Sequence, residues 1–451
     1  MAAQNNSKIP FREKLCYGIS SGGGNIITQI LGTFLTSYLT DSVGISAAAV
    51  GTMMLIARVF DGASDVIMGG IIDKTHTRFG KARPWLLISV PLILIGLVFT
   101  FSVPGGLSGS AKIVWMYLSY IFLNCIFFTM YMVSNTSMLP RMTLDGDERQ
   151  TMSSMNQILN QFGALAVTTF MVALVAKFGW TVTAIIYGIA TSVCILIGFL
   201  GTKEHLDETV AESENAKIET APLKAAVPAM LKNKYFWLLA AIFILLLAQA
   251  AGPGSMTYYY CNIVQNNLGL LSFISACGIV PMIIINFFVP ALTQKFGRGK
   301  CLSVSAFLTM IGYIIVGVAG TNLTLVYIGT ILKSFAIGVV FACAFAIAAD
   351  VVDYGEWKTG IRSDGLINSC VSFGAKVGLG IGPAIASWII AAGGYDGLAE
   401  AQSQSAVNAI TFAFGYFGAI LCGIMFVLSL FMNMDKYSEQ IKADLEKKHM
   451  N

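Results

Sequence analysis

The sequence predicts an all-α membrane protein with twelve transmembrane helices, on the strength of its composition, the length of its apolar blocks and the placement of its charges. Of 451 residues, 56% are hydrophobic and only 12% charged, against a charged share of about 25% in ordinary soluble domains. A water-soluble fold could not hide that much apolar surface. The apolar residues fall in blocks long enough to cross a hydrocarbon core about 30 Å thick at ~1.5 Å of rise per residue. Backbone polar groups inside lipid need partners within the chain, so each block is a helix. The charged residues sit mainly in the short connections between blocks.

The expected helices cover 15–38, 47–72, 84–104, 112–139, 152–176, 180–201, 235–260, 268–292, 300–320, 323–349, 366–393 and 405–433. The longest polar stretch, 202–234, holds Lys203, Glu204, Asp207, Glu208 and further charges. It separates a six-helix bundle over 1–201 from a second over 235–433, and a short charged tail, 434–451, follows. The odd-numbered connections hold only Lys112 and Lys177, whereas the amino-terminal segment, the even-numbered connections and the tail hold most of the 28 Lys and Arg. Retained positive charge marks cytoplasmic loops, which places both termini in the cytoplasm and the protein in the cell membrane. The segment Met1–Lys14 is polar and basic, and no short signal-peptide pattern follows it, so the first helix is expected to be retained. The halves echo one another: Asp73, Lys74, Arg78, Gly80, Lys81 and Arg83 follow the second helix, and Lys295, Gly297, Arg298, Gly299 and Lys300 follow the eighth. Matching basic turns point to a duplicated six-helix unit and two pseudo-symmetric bundles, although short cytoplasmic loops are basic in membrane proteins generally.

Several function classes drop out. The formal charge of +4 is spread over short loops, which argues against a nucleic-acid partner. Nine cysteines are scattered, mostly inside apolar blocks and without a CxxC pair, and read as small core residues. There is no HExxH, nucleophile elbow or P-loop, and His76, His205 and His449 all lie in polar segments. Neither an enzyme nor a bound cofactor is expected, and without ATP motifs an ion gradient must supply the energy.

An ionisable side chain at the bilayer centre costs about 2.5 to 3.5 kcal/mol on insertion scales, so the few inside spans carry information. In the second helix Arg58, Asp61 and Asp65 are spaced by three and four and share one face. Asp61 lies roughly 20 Å along that helix by the helical rise. Two carboxylates a turn apart, with hydroxyls from Ser64 and Thr129, offer hard oxygen ligands to a small cation or a site for a shared proton. The alternative is an internal salt bridge joining two helices; two acids against one base leave a charge over, which an ion site would use. Lys376, within the glycine-rich run 374–383, either reaches the acids of the second helix or snorkels to an interface. Lys333 faces a substrate or snorkels outward. Pro140, Pro281, Pro290 and Pro383 read as helix ends or kinks. Tyr258, Tyr259 and Tyr260 read as an aromatic interface belt, with stacking on a sugar ring as the alternative.

The run Ala57-Arg58-Val59-Phe60-Asp61-Gly62-Ala63-Ser64-Asp65, the loop Arg78-Phe79-Gly80-Lys81-Ala82-Arg83-Pro84-Trp85 and the stretch Asp353-Tyr354-Gly355-Glu356-Trp357-Lys358-Thr359-Gly360-Ile361-Arg362 resemble the glycoside-pentoside-hexuronide:cation symporters, typified by the melibiose permease. The resemblance implies the major facilitator fold and symport of a glycoside, pentoside or hexuronide with Na+, Li+ or H+ by alternating access. It implies a monomer in the lipid bilayer, without cofactor. It assigns the cation site to Asp61, Ser64, Asp65 and Thr129, with Asp61 and Asp65 as metal ligands if the ion is Na+ or Li+. Ser64 stands where the melibiose permease has asparagine. The sugar site is expected to draw on Arg58, Ser372 and Lys376. It also draws on Asn25, Met132, Asn156 and Gln157, which occupy the regions where the permease carries charged residues, so melibiose itself is not the expected substrate. Arg58, Lys333 and Lys376 outnumber Asp61 and Asp65, which suggests an anionic sugar once a cation occupies the acids. A lysolipid or other amphiphile carrier on the same fold, and an uncoupled sugar facilitator, are the competing functions.

Overall fold

A computed structural model describes residues 9–143, 145–205, 233–359, 364–434, 440–441 and 444. Its first four helices are α1 (Phe11–Thr33), α2 (Ala47–Asp73), α3 (Arg83–Thr100) and α4 (Gly109–Met142). The helix Gly146–Gly201 breaks at Gly179, whose φ of 74° and ψ of 173° interrupt the spiral, and counts as α5 before the break and α6 after it. Next come α7 (Lys234–Val264) and α8, a span of two pieces, Leu270–Asn286 and Val289–Phe296, bent by 58°. The last four are α9 (Arg298–Ala319), α10 (Leu323–Thr359), α11 (Asp364–Ala392) and α12 (Gln404–Ser429). In this numbering twelve helices lie among the described residues, without a strand; eight stretches, or nine with the bent pair of α8, are long and apolar enough to cross a membrane, α5 and α6 together forming one of them.

Some boundaries depart from expectation for physical reasons. α10 runs on to Thr359 instead of ending near 349, because Asp350, Asp353, Glu356 and Lys358 continue the helix as a polar extension beyond the apolar run. Pro281 and Pro383 lie inside helices, and Pro290 opens the second piece of α8 after the bend. Pro140 sits in the last turn of α4. Within the connection 202–234, residues 206–232 lie outside the described residues, as do most of the tail and His449.

The chain divides into one unit of Met1–Ile45 with Ile56–Ile218 and another of Ser46–Leu55 with Glu219–Asn451. In the first, α1 is threaded between α5 and α6 through its small residues. A methyl group on Gly163 of α5 would come within 2.4 Å of the Gly22 carbonyl oxygen, and one on Gly198 of α6 within 2.5 Å of the Ser20 Cβ. Close backbone approach of this kind is how spans associate where lipid supplies no hydrophobic drive. Tyr131 of α4 donates to the Ser20 carbonyl at 2.6 Å, and Ser20 and Ser21 of α1 bond Asn135 of α4. In the second unit the run Gly374, Gly378, Gly382 of α11 lies against α7, where methyl groups on Gly378 and Gly382 would meet the Ile244 and Ala248 carbonyl oxygens at 2.4 and 2.3 Å. The start of α2 groups with this unit, and Trp388 Nε1 of α11 donates to Thr52 Oγ1 at 3.3 Å.

Each unit repeats one device. The chain after α1 passes through a π turn, Tyr38–Ser42, and α7 ends in another, Tyr260–Val264. Tyr38 Oη accepts from Val103 N, just past α3, at 3.0 Å; Tyr260 Oη donates to Gly320 O, just past α9, at 2.6 Å. Tyr38 packs on Trp180 at the start of α6, and Tyr260 stacks on Phe414 of α12 with centroids 4.3 Å apart. Tyr259 and Tyr260 are therefore buried among protein side chains rather than forming an interface belt. All nine cysteines are free thiols, most of them buried.

Candidate functional site

The site grows from two helices of the first unit. On α2 the spacing of Ala57 and Asp61 matches that of Cys125 and Thr129 on α4, and the two rows meet rung by rung. Cys125 Sγ donates to the Ala57 carbonyl at 3.1 Å, and Thr129 Oγ1 donates to Asp61 Oδ1 at 3.1 Å. Asp61 and Thr129 are 8% and 3% exposed, so this is a carboxylate held inside a span. The other oxygen, Oδ2, lies 3.4 Å from Arg58 Nη1 one turn back. A tight charge-assisted pair closes to about 2.7 to 2.9 Å, so Arg58 holds Asp61 loosely. This ion pair lies within one helix, and Thr129 links Asp61 to a second.

Ser64 Oγ donates to the Asp61 carbonyl at 3.0 Å and lies 3.4 Å from Thr129 Oγ1. Three side-chain oxygens, from Asp61, Ser64 and Thr129, therefore converge, and Asp65 follows Asp61 by four residues on the same face, half-buried. What brings Thr129 to this place is a π turn in α4, Phe122–Phe128, which ends at the residue before it. The wider turn lets Thr129 Oγ1 also approach the Asn124 carbonyl, five residues back, at 3.3 Å. Neither this turn nor the Cys125 contact was expected from sequence; Asn124 and Cys125, a polar pair inside an apolar run, were the available signal.

The other expected residues are distributed as follows. Asn25 Nδ2 of α1 donates to the Asn160 carbonyl of α5 at 2.6 Å. Asn156 Oδ1 is buried without a hydrogen-bond partner among the described residues. Gln157 is exposed and Met132 is 48% exposed. In the second unit Ser372 is exposed and Lys376, one turn later on α11, is half-buried. Lys333 of α10 does not snorkel and meets no acid among the described residues: its ammonium lies 4.4 Å from the Tyr313 ring centroid and 5.2 Å from that of Phe414.

At the end of the first unit where α1 begins and α6 finishes, a polar clasp forms. Glu204 accepts from the backbone amides of Lys81, Ala82 and Arg83 at 3.1, 2.9 and 3.2 Å. These are orphan donors at the start of α3, where a carboxylate is favoured. The Gly80 φ of 104° lets the backbone curl around that carboxylate, where a side chain would collide at 2.5 Å. Glu13 accepts from Lys203 N and His205 Nε2 at 2.7 and 3.0 Å. Arg141 pairs with Asp73 at 3.3 Å.

The polytopic helical fold is that of a membrane carrier, and known carriers resemble the chain along most of its length. The chain is 33% identical over 455 residues to the isoprimeverose transporter of Lactiplantibacillus pentosus, covering 98% of this chain and 92% of that one. It is 27% identical over 403 residues to the glucuronide carrier protein homolog of Escherichia coli K12, covering 86% and 85%. Among solved structures, a nucleoside transporter superposes with a TM-score of 0.66 at 11% identity, covering 93% of this chain and 99% of that one. A bacterial homolog of the human lysosomal transporter Spinster gives 0.65 at 12%, covering 93% and 95%. These two likenesses establish the major facilitator fold alone. The profile described as MFS/sugar transport protein matches residues 16–436. The chain belongs to the MFS/sugar transport protein family of multi-pass membrane transporters.

Proposed function

We propose that this protein is a cation-coupled sugar symporter in which Asp61, Ser64, Asp65 and Thr129 bind the coupling ion. The observation that carries the reading is the convergence of oxygens on one buried carboxylate: Thr129 Oγ1 donates to Asp61 Oδ1 at 3.1 Å, and Ser64 Oγ lies 3.4 Å from that hydroxyl. Carboxylate and hydroxyl oxygens are the hard ligands a small cation such as Na+ or Li+ takes, and the same carboxylate could instead carry H+. When the cation arrives, Thr129 and Ser64 turn their lone pairs to it and Arg58 is freed on the same face of α2. Arg58, Asn25, Met132, Asn156, Gln157, Ser372 and Lys376 then serve the sugar. The unpartnered Asn156 Oδ1 is suited to accept from a sugar hydroxyl, since a buried acceptor left empty costs about 1 to 3 kcal/mol.

Coupling follows if the carrier bearing both ligands, or neither, changes face more readily than one bearing a single ligand. The protein acts as a monomer with both termini in the cytoplasm. Relatives named for isoprimeverose and for glucuronide frame the cargo as a glycoside, neutral or anionic. Right-side-out vesicles with separately imposed sodium, lithium and proton gradients, tested with a labelled neutral xyloside and a labelled glucuronide, identify the ion and the cargo. Asp65→Asn is expected to abolish cation-driven accumulation while downhill exchange persists; accumulation against a gradient by that variant would defeat the assignment.

A further inference from the structure

Between α3 and α4 a groove of about 310 Å³ opens, at the lower end of the ~300 to 1,000 Å³ usual for ligand pockets. Its floor is Gly96, and its walls include Ile95, Phe99, Trp115, Leu118 and Phe122. The Phe99 and Trp115 rings in its lining are stacked at 5.2 Å with 4° between planes. The two polar side-chain atoms of the lining are already committed. Trp115 Nε1 donates to the Phe99 carbonyl at 3.0 Å, and Ser119 Oγ to the Met116 carbonyl at 3.2 Å.

A polar occupant would thus enter without a partner, at a cost, while an empty groove would forfeit the dispersion contacts of its walls. Ile95, Phe99, Leu118 and Phe122 are about half exposed, yet they lie within apolar spans that bilayer hydrocarbon surrounds, so the molecule available to fill the groove is a lipid tail. The groove owes its shape to the π turn. Phe122 and Phe127, both on that turn, line it, and a methyl group on Gly96 would come within 2.9 Å of Leu123 and Phe127. We infer that the α3–α4 groove binds one acyl chain of a bilayer phospholipid, which braces the π turn that sets Thr129 against Asp61.

The full-length protein in phospholipid vesicles tests this, with acyl chains brominated near mid-length as contact quenchers. Trp115 emission is read as the difference between the parent and Trp115→Phe. Specific seating predicts quenching that saturates at a low fraction of brominated lipid and is lost when Ile95→Phe with Leu118→Phe fills the groove. Quenching that rises in proportion to the brominated fraction, unaffected by the filling pair, overturns the inference. So does equal quenching by a brominated alkyl detergent at the same hydrocarbon content, which would mark a surface indifferent to phospholipid. If Trp115→Phe does not fold, the parent and the filling pair, compared by total emission, still separate these outcomes.

Discussion

Replacing Thr129 by valine removes one hydroxyl and keeps the shape, and so isolates what that oxygen does. Thr129 Oγ1 donates to Asp61 Oδ1 at 3.1 Å and lies 3.4 Å from Ser64 Oγ. Without a cation, the loss takes a hydroxyl donor from a buried carboxylate, and the Arg58 guanidinium at 3.4 Å is too far for a strong charge-assisted bond of about 2.7 to 2.9 Å. With the cation bound, the loss deletes an oxygen ligand. A hydrogen bond to a charged group contributes about 1.5 to 3 kcal/mol, and ~1.4 kcal/mol is tenfold in affinity. The cation concentration for half-maximal sugar uptake should therefore rise roughly 10- to 150-fold in Thr129→Val. The bond from Thr129 to the Asn124 carbonyl disappears in both states and does not change the difference. Thr129→Ser should return the cation dependence close to that of the parent, because it restores the hydroxyl without the methyl. The assay is uptake into right-side-out vesicles at saturating sugar with the cation varied. A valine variant indistinguishable from the parent would show that the hydroxyl binds no ion, and the site on α2 and α4 would have to be abandoned.

Lys333 makes no ion pair among the described residues and rests on the Tyr313 and Phe414 rings. Those contacts return about 2 kcal/mol, less than the several kcal/mol of burying an ammonium. Lys333→Met should thus hold or raise the thermal midpoint in detergent and leave uptake kinetics unchanged; well-folded protein with lost uptake would put Lys333 on the sugar path instead. Glu204→Ala removes three amide contacts at the start of α3 and should cost about 2 to 4 kcal/mol after allowance for partial exposure, read as a lower thermal midpoint, with Glu204→Gln in between. Gly24→Ala would bring a methyl group within 2.3 Å of the Tyr131 ring, whereas Gly32 on the same helix has nothing within 4 Å. Ala at 24 should destabilise by about 1 to 3 kcal/mol and Ala at 32 should not, as measured by the same thermal assay.

The spans were readable because their cause is compositional: a helix that must sit in lipid needs a long apolar run, and the run is visible as such. The bend in α8 was also announced, through Pro290 at the head of its second piece. Asp61 stood out because a carboxylate in such a run is expensive. Its meeting with Thr129 did not follow from spacing, since residues far apart in the chain carry no shared period; Thr129 stood out as a hydroxyl inside an apolar run, and the likeness to the symporters assigned it to the site. The π turns were invisible for a related reason. One extra residue in a turn changes which side chains face a neighbour without changing the apolar content that announces the helix. Tyr259 and Tyr260 misled because an aromatic cluster near the end of a span has the same composition whether it meets lipid headgroups or, as Tyr260 does, the Gly320 carbonyl and the Phe414 ring.

The two units share the tyrosine device at the ends of α1 and α7, which supports duplication more firmly than basic loops do, because it repeats a specific geometry rather than a charge. The Asp61–Thr129 pair breaks that symmetry. α8, the counterpart of α2, has no acid in Leu270–Asn286, and α10, the counterpart of α4, runs as an uninterrupted helix over Leu323–Thr359. The carboxylate and the π turn therefore occur together in one unit and are both absent from the corresponding helices of the other. A residue inserted into a helix of ~3.6 residues per turn rotates all that follows by roughly 100°. That rotation determines whether Thr129 faces Asp61 or a neighbouring helix, so the π turn and the acid make sense only as a pair. Under the proposed symport, the first unit would hold the cation and the second would contribute the basic and hydroxyl side chains Lys376 and Ser372 of α11.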